Sequence, residues 1–211
     1  MNQTTKIAAG LLFPADAAAR VEASLRESAR TKEAVIAECV PDIVTASRLV
    51  AEAMADGRKL MICGNGGSAA DSQHIAAEFV SVLNQSFPRR GLPAIALTTD
   101  SSMLTASAND FGFEGVFSRQ VQALGRPGDV LMGITTSGNS KNVVAAVAYA
   151  HEVGIKTIGL TGSSNGKIDL AADVAIRVPS TSTQHIQESH IAIGHILCDL
   201  VERSLFQKEA G

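Results

Sequence analysis

Tryptophan is absent from this 211-residue chain, tyrosine occurs once, and aromatic residues make up only 4% of it. A core with so few large rings has to be packed with small aliphatic side chains, which suits tightly packed helices and buried parallel strands. Charge of either sign is also sparse and balanced: 18 Lys and Arg against 21 Asp and Glu leave a net charge of −3. That excludes a chain-wide basic footprint for nucleic acid or membrane surfaces, though not a local patch. No apolar run approaches the roughly 20 residues that a membrane span needs. The opening stretch MNQTTKIAAGLLFPADAAAR has a short apolar patch, but Asp16 interrupts it before any signal-peptide cleavage pattern. Cys39, Cys63 and Cys198 form no CxxC pair and leave one over in any pairing, the pattern of reduced thiols in a cytoplasmic protein.

What is present is small and apolar: 45% hydrophobic residues and 18 glycines, enough for one domain with its own core. Residues 16 to 56 are helical in character, with Val21, Leu25 and Ala29 at helical spacing. Pro41 is expected to divide this region into two helices, and Gly57 to end the second. The grammar then changes. Lys59 to Cys63 is a short apolar run, closed by Gly64-Asn65-Gly66-Gly67-Ser68 and followed by an Ala-rich helix reaching about Leu83. The same strand, polar loop and helix return at Asp129 to Ile134, Thr135 to Ser140, and Lys141 to Glu152. Further strands are expected at Ala94–Leu97, Lys156–Leu160 and Val174–Val178, and a last helix from Thr183 to Phe206. Strands alternating with helices predict an α/β three-layer sandwich with a central parallel sheet, a helical N-terminal extension (1–56) and a long C-terminal helix.

Two polar loops at the carboxyl ends of parallel strands are the first chemical clue. Such loops turn backbone N–H groups toward an anion at a helix N-terminus, and the hydroxyls of Ser68, Thr136, Ser137 and Ser140 add donors for phosphate oxygens. The Gly and Ser also serve as simple turn and cap residues. Neither loop carries the lysine of a P-loop or the third glycine of a dinucleotide fingerprint. The second clue is His74 and Glu78, spaced i, i+4 on one helix face and able to share a metal or a substrate. The third is the stretch Gln184 to His195, which holds three of the five histidines. Gln187 and His195 stand about 12 Å apart along a helix axis, so they meet one ion only if both lean inward; otherwise one serves another subunit. His185 and His190 read as solvent-facing or interface residues.

Taken together, Gly64-Asn65-Gly66-Gly67-Ser68-Ala69-Ala70-Asp71-Ser72-Gln73-His74, Asn109-Asp110-Phe111-Gly112, Thr136-Ser137-Gly138-Asn139-Ser140 and Ile186-Gln187-Glu188 resemble the sedoheptulose 7-phosphate isomerases. These belong to the sugar isomerase (SIS) superfamily, and the resemblance runs from about residue 20 to 206. It implies a cytoplasmic homotetramer with active sites between subunits, which makes a heptose precursor for surface glycans. It implies one zinc ion per subunit, held by His74, Glu78, Gln187 and His195. It implies substrate contacts from Asn65, Gly66, Gly67, Asn109 and Asp110. A phosphate subsite would come from Thr135, Thr136, Ser137 and Ser140 with Ser68 nearby, and Glu78 and Gln187 would touch both metal and sugar. Glu78 and His195 are the expected acid–base pair of an aldose–ketose isomerisation. The core from 57 to 211 would be the phosphosugar-binding domain, with 1–56 packing on it and between subunits.

Two departures stand out. The family usually places an arginine near the end of the Glu78 helix, and Phe79-Val80-Ser81-Val82-Leu83 has none. Either Arg89 or Arg90 compensates from the next loop, or the substrate contacts differ. The position of Gln184 is often acidic in the family. The rival readings are a non-catalytic SIS scaffold that binds the replication initiator, an isomerase of another sugar phosphate, and a phosphosugar-sensing regulator. The scaffold reading shares Cys198-Asp199-Leu200 but has no need of the His/Glu/Gln/His set. The regulator lacks a basic helix-turn-helix here.

Overall fold

The computed structural model describes residues 13–207. The patch at Met1 to Leu12 lies outside the described residues. Helix α1 spans Ala17–Ala55, and strand β1 (Leu60–Gly64) leads through the first polar loop into α2 (Gly67–Val80). Strand β2 (Ala94–Ala96), α3 (Ser101–Phe111) and α4 (Val116–Leu124) follow. Then come β3 (Val130–Thr135), α5 (Lys141–Glu152), β4 (Lys156–Gly162), α6 (Ile168–Ala171), β5 (Val174–Val178) and α7 (Thr183–Phe206). The five strands pair in the order β2-β1-β3-β4-β5, every pair parallel.

Alternation along the strands sorts the core into two layers. Leu60, Ile62, Val130, Met132, Ile134, Ile158 and Leu160 face a layer that includes Val50 and Met54 of α1, Ile75 and Phe79 of α2, and Ile193 and Leu197 of α7. Met61, Cys63 and Leu131 face the opposite layer with Val121 of α4 and Val143, Ala146 and Val147 of α5. Helices therefore cover both faces of the sheet, the three-layer sandwich expected from the alternating pattern. The all-buried β1 and β3 are what a sheet covered on both sides requires. Among the described residues no helix is long and apolar enough to cross a membrane.

The expected break at Pro41 does not occur: α1 is one helix of 39 residues that passes through the proline. Proline removes the bond to the carbonyl four residues back, here that of Ala37. Both Pro41 and Ala37 are exposed, so the freed carbonyl is open to solvent rather than buried without a partner. The stripe Val35, Cys39, Ile43, Ala46, Val50 and Met54 holds the helix on the core past that point. The Cys39 thiol also donates to the Arg177 carbonyl of β5 at 3.2 Å. The first turns are different, with Val21 and Leu25 60% and 67% exposed.

Helices α2 and α7 come together at Gly194, where an added Cβ would stand 2.7 Å from the Ile75 side chain. Gly to Ala in an open helix interior is worth about 1 kcal/mol of stabilisation. Here overpacking, at about 1–3 kcal/mol, outweighs it. Gly194→Ala is expected to lower the urea midpoint of unfolding, and a raised midpoint would show that the two helices are not in close approach.

Candidate active site

The carboxyl ends of β1, β3 and β4 and the residues after β5 converge on one edge of the sheet. The first loop turns into α2 at Gly66, whose φ of +56° favours glycine. At Gly67 the constraint is space, because an added Cβ would lie 2.5 Å from the Gln187 amide nitrogen. That close approach seats Gln187 of α7 on the first loop. Ser68 is buried beneath it, packed against Gly64.

Asn65 and Asn142 exchange two side-chain amide hydrogen bonds, each 2.9 Å long. This reciprocal pair ties the first loop to the start of α5. Asn142 is 3% exposed and escaped the sequence reading, since one asparagine in a helix start looks like an ordinary capping residue.

In the second loop Thr135 is buried and its hydroxyl lies 2.9 Å from Ser140 Oγ and 3.4 Å from Ser137 Oγ. Thr136 and Ser137 line a cavity of about 270 Å³ together with Asn139, Ser164, Ser180, Thr181, Thr183 and Ile186. Of the four expected phosphate residues, two thus face the cavity while Thr135 and Ser140 brace the loop. Ser164, Ser180, Thr181 and Thr183 were not anticipated. Their signal was legible as Ser163-Ser164-Asn165-Gly166 after β4 and Pro179-Ser180-Thr181-Ser182-Thr183 after β5. The Ser164 hydroxyl donates to the Ser137 carbonyl at 2.8 Å, which joins the third loop to the second.

His74 and Glu78 on α2 meet His195 on α7. His74 Nε2 lies 3.0 Å from His195 Nε2 and 3.1 Å from Glu78 Oε1. The imidazole rings are 5.0 Å apart between centroids and tilted by 58°. Two imidazole nitrogens at this separation share either a proton or a cation. The three donor atoms lie within 4.8 Å of one another. Neighbouring donors on a tetrahedral zinc shell stand about 3.3–3.6 Å apart, so a set of two imidazoles and a carboxylate fits such an ion. The close approach of α2 and α7 is what brings the three together. Gln187, two helical turns before His195, is placed by its contact with Gly67, at the first-loop end of α7.

The other expected residues are placed differently. Asn109 and Asp110 are exposed on the last turn of α3, where the Asn109 amide donates to Asp110 Oδ1 at 2.8 Å. Arg89 does not reach toward the cavity, because its side chain is wholly buried against Glu202; Arg90 is exposed. His185 and His190 are not solvent-facing either, at 4% and 0% exposure. Both fall on the stripe of α7 that also carries Ile186, Ile193 and Leu197 into the core. His185 Nδ1 lies 3.3 Å from Glu188 Oε2.

The Asp71 carboxyl is raised above the usual carboxylate range by burial, with His74 pulling it back, and its Oδ2 is buried without a partner. His190 Nε2 donates to the Thr161 carbonyl at 3.1 Å, and burial holds the ring neutral down to about 4.

Residues 25–162 match the SIS domain family. The phosphoheptose isomerase of Geotalea daltonii is 51% identical over 186 residues, covering 88% of this chain and 96% of that one. The structure of phosphoheptose isomerase from Neisseria gonorrhoeae superposes with a TM-score of 0.81 at 48% identity, covering 86% of this chain and 96% of that one. That of a phosphoheptose isomerase from Francisella tularensis gives 0.85 at 36% identity, covering 89% and 98%.

The histidine at position 190 generates a pH prediction. Its folded value of about 4 lies below the ordinary histidine value of about 6.5, so the unfolded chain binds the proton first. Stability is therefore lost as pH falls from about 6.5 toward 4, by about 2 kcal/mol for this group at pH 5. Urea unfolding at pH 7 and pH 5 should show a smaller loss in His190→Gln than in the wild type. Parallel losses in the two proteins would contradict the assignment.

Proposed function

The chain belongs to the phosphoheptose isomerases of the SIS domain family, and from that premise we propose that it converts sedoheptulose 7-phosphate to D-glycero-D-manno-heptose 7-phosphate through an enediol. The observation that carries the reading is the meeting of His74, Glu78 and His195 between α2 and α7, in a chain whose strand-end loops also line a hydroxyl-rich cavity. A proton has to leave C1 and return at C2, while the hydroxyl proton of O1 passes to O2. A carboxylate and an imidazole are suited to both transfers. Glu78 turns Oε1 toward His74, which leaves its second oxygen to take and return the carbon-bound proton. His195, facing it across the cluster, serves the oxygens. A zinc ion, one per subunit, would be held by His74, Glu78, His195 and Gln187, and when bound would polarise the carbonyl as a Lewis acid.

The loops bind the far end of the sugar. Thr136 and Ser137 offer hydroxyls to the phosphate, with Thr135, Ser140 and Ser68 shaping the loops behind them. Among the described residues no lysine or arginine lines the cavity, so the phosphate relies on hydroxyls, backbone N–H groups and the dipole of α5. Asn65, Gly66, Gly67 and Gln187 contact the sugar, and Asn109 with Asp110, exposed on the last turn of α3, is assigned to the same substrate. Binding energy from this unreactive end positions the reacting carbons. We assign the exposed Val21 and Leu25 of α1 to subunit contacts within a cytoplasmic homotetramer. No nucleic-acid or membrane partner is required.

Conversion of sedoheptulose 7-phosphate by the purified protein tests the reading, with bound zinc quantified beside it. Glu78→Gln and His195→Ala are each expected to lower kcat by about 10²–10⁴-fold without unfolding the protein. Unimpaired turnover in either variant would remove that residue from the chemistry. Zinc binding without turnover would favour another sugar phosphate. Loss of both would favour the scaffold reading.

A further inference from the structure

Helix α2 ends at Val80, and its last carbonyls need partners outside the helix. Arg89 supplies them from the loop before β2. Its Nη2 donates to the Glu78 carbonyl at 2.8 Å, and its Nη1 to the carbonyls of Phe79 at 2.8 Å, Ser81 at 3.1 Å and Arg90 at 3.0 Å. The opposite edge of the guanidinium meets Glu202 of α7, with Nε 2.8 Å from Oε1 and Nη2 donating to the same oxygen. Glu202 Oε1 also accepts the Leu83 backbone N–H at 3.2 Å. The two side chains are 0% and 2% exposed.

Every guanidinium nitrogen is engaged, and the cation sits at the negative end of the α2 dipole. Glu202 follows His195 by seven residues, two turns along the same face of α7. Arg89 grips the backbone of Glu78 itself. One buried unit therefore holds the backbone of one donor residue and the helix face that carries another. Apolar side chains of similar volume would hold the helices together as well as a buried ion pair does. What they would not reproduce is a fixed register between α2 and α7.

We infer that Arg89 and Glu202 are positioning residues for the His74, Glu78, His195 cluster, setting its donor geometry through the backbone of α2 and the register of α7. This rests on the metal assignment proposed above. It also gives Arg89 a task other than substrate binding.

The test compares zinc-loaded wild type with Glu202→Gln, Arg89→Lys and the double variant Arg89→Met with Glu202→Leu. Zinc affinity is read by competition with a chromophoric chelator. Urea unfolding of each full chain in EDTA reports stability separately. Zinc affinity is expected to fall about 10–100-fold in Glu202→Gln and in the double variant. The loss should exceed any change in the urea midpoint, and Arg89→Lys should fall between them and wild type. At saturating zinc, kcat should drop while KM stays near the wild-type value, since neither residue touches the sugar.

Wild-type zinc affinity in Glu202→Gln would overturn the inference, even if the double variant failed to fold. So would affinity losses that only track the urea midpoint. A wild type that binds no zinc would overturn the metal assignment and this inference with it, whereas the first two outcomes leave that assignment standing.

Discussion

Helices α2 and α7 meet where Gly194 leaves room for Ile75, and the remaining features of the site follow from that approach. Above the contact His74 and His195 face each other at 3.0 Å; further along, the Arg89–Glu202 pair closes the two helices from the other side. A larger residue at 194 would push α7 outward and part the imidazoles. Overpacking and donor geometry are thus the same constraint seen from two sides. The sheet supplies the fixed reference: α2 and α7 share one core layer with β1, β3 and β4, so neither helix can shift without disturbing buried Ile62, Met132 and Leu160.

The site divides its work between unlike materials. The proposed reacting end is built from titratable side chains on helices, where rotamers and register are held by packing. The proposed phosphate end is built from loop hydroxyls and backbone, with no charged side chain among the described residues that line the cavity. Neutral donors bind an anion without a buried cation, whose desolvation would have to be offset when the site is empty. The two ends are coupled by short links: the Asn65–Asn142 amide pair joins the first loop to α5, and the Ser164–Ser137 bond joins the third loop to the second.

Much of this was legible in the residues. The spans of α5 and α7 follow from their periodicity and flanking polar residues, and the strands from short apolar runs bounded by polar loop residues. His74 and Glu78 could be paired from i, i+4 spacing alone. What was not legible depends on burial. Pro41 reads as a helix break because the sequence does not say that its face of α1 is exposed and can give its freed carbonyl to water. His185 and His190 read as polar, yet they fall on the core stripe of α7, and the Thr161 carbonyl accepts from the latter. Arg89 reads as a candidate for substrate because arginines seek anions; the anion it meets is a carboxylate more than a hundred residues along the chain. Long-range partners of this kind leave no local pattern.

In the proposed site His74, Glu78 and His195 are donors to one ion, set by the helix contact. Zinc-edge anomalous diffraction from crystals of the zinc-loaded protein tests this arrangement without recourse to turnover. One strong peak per chain is expected, bounded by the two facing imidazole nitrogens and Glu78. A peak elsewhere, or none in protein shown to contain zinc, would contradict it.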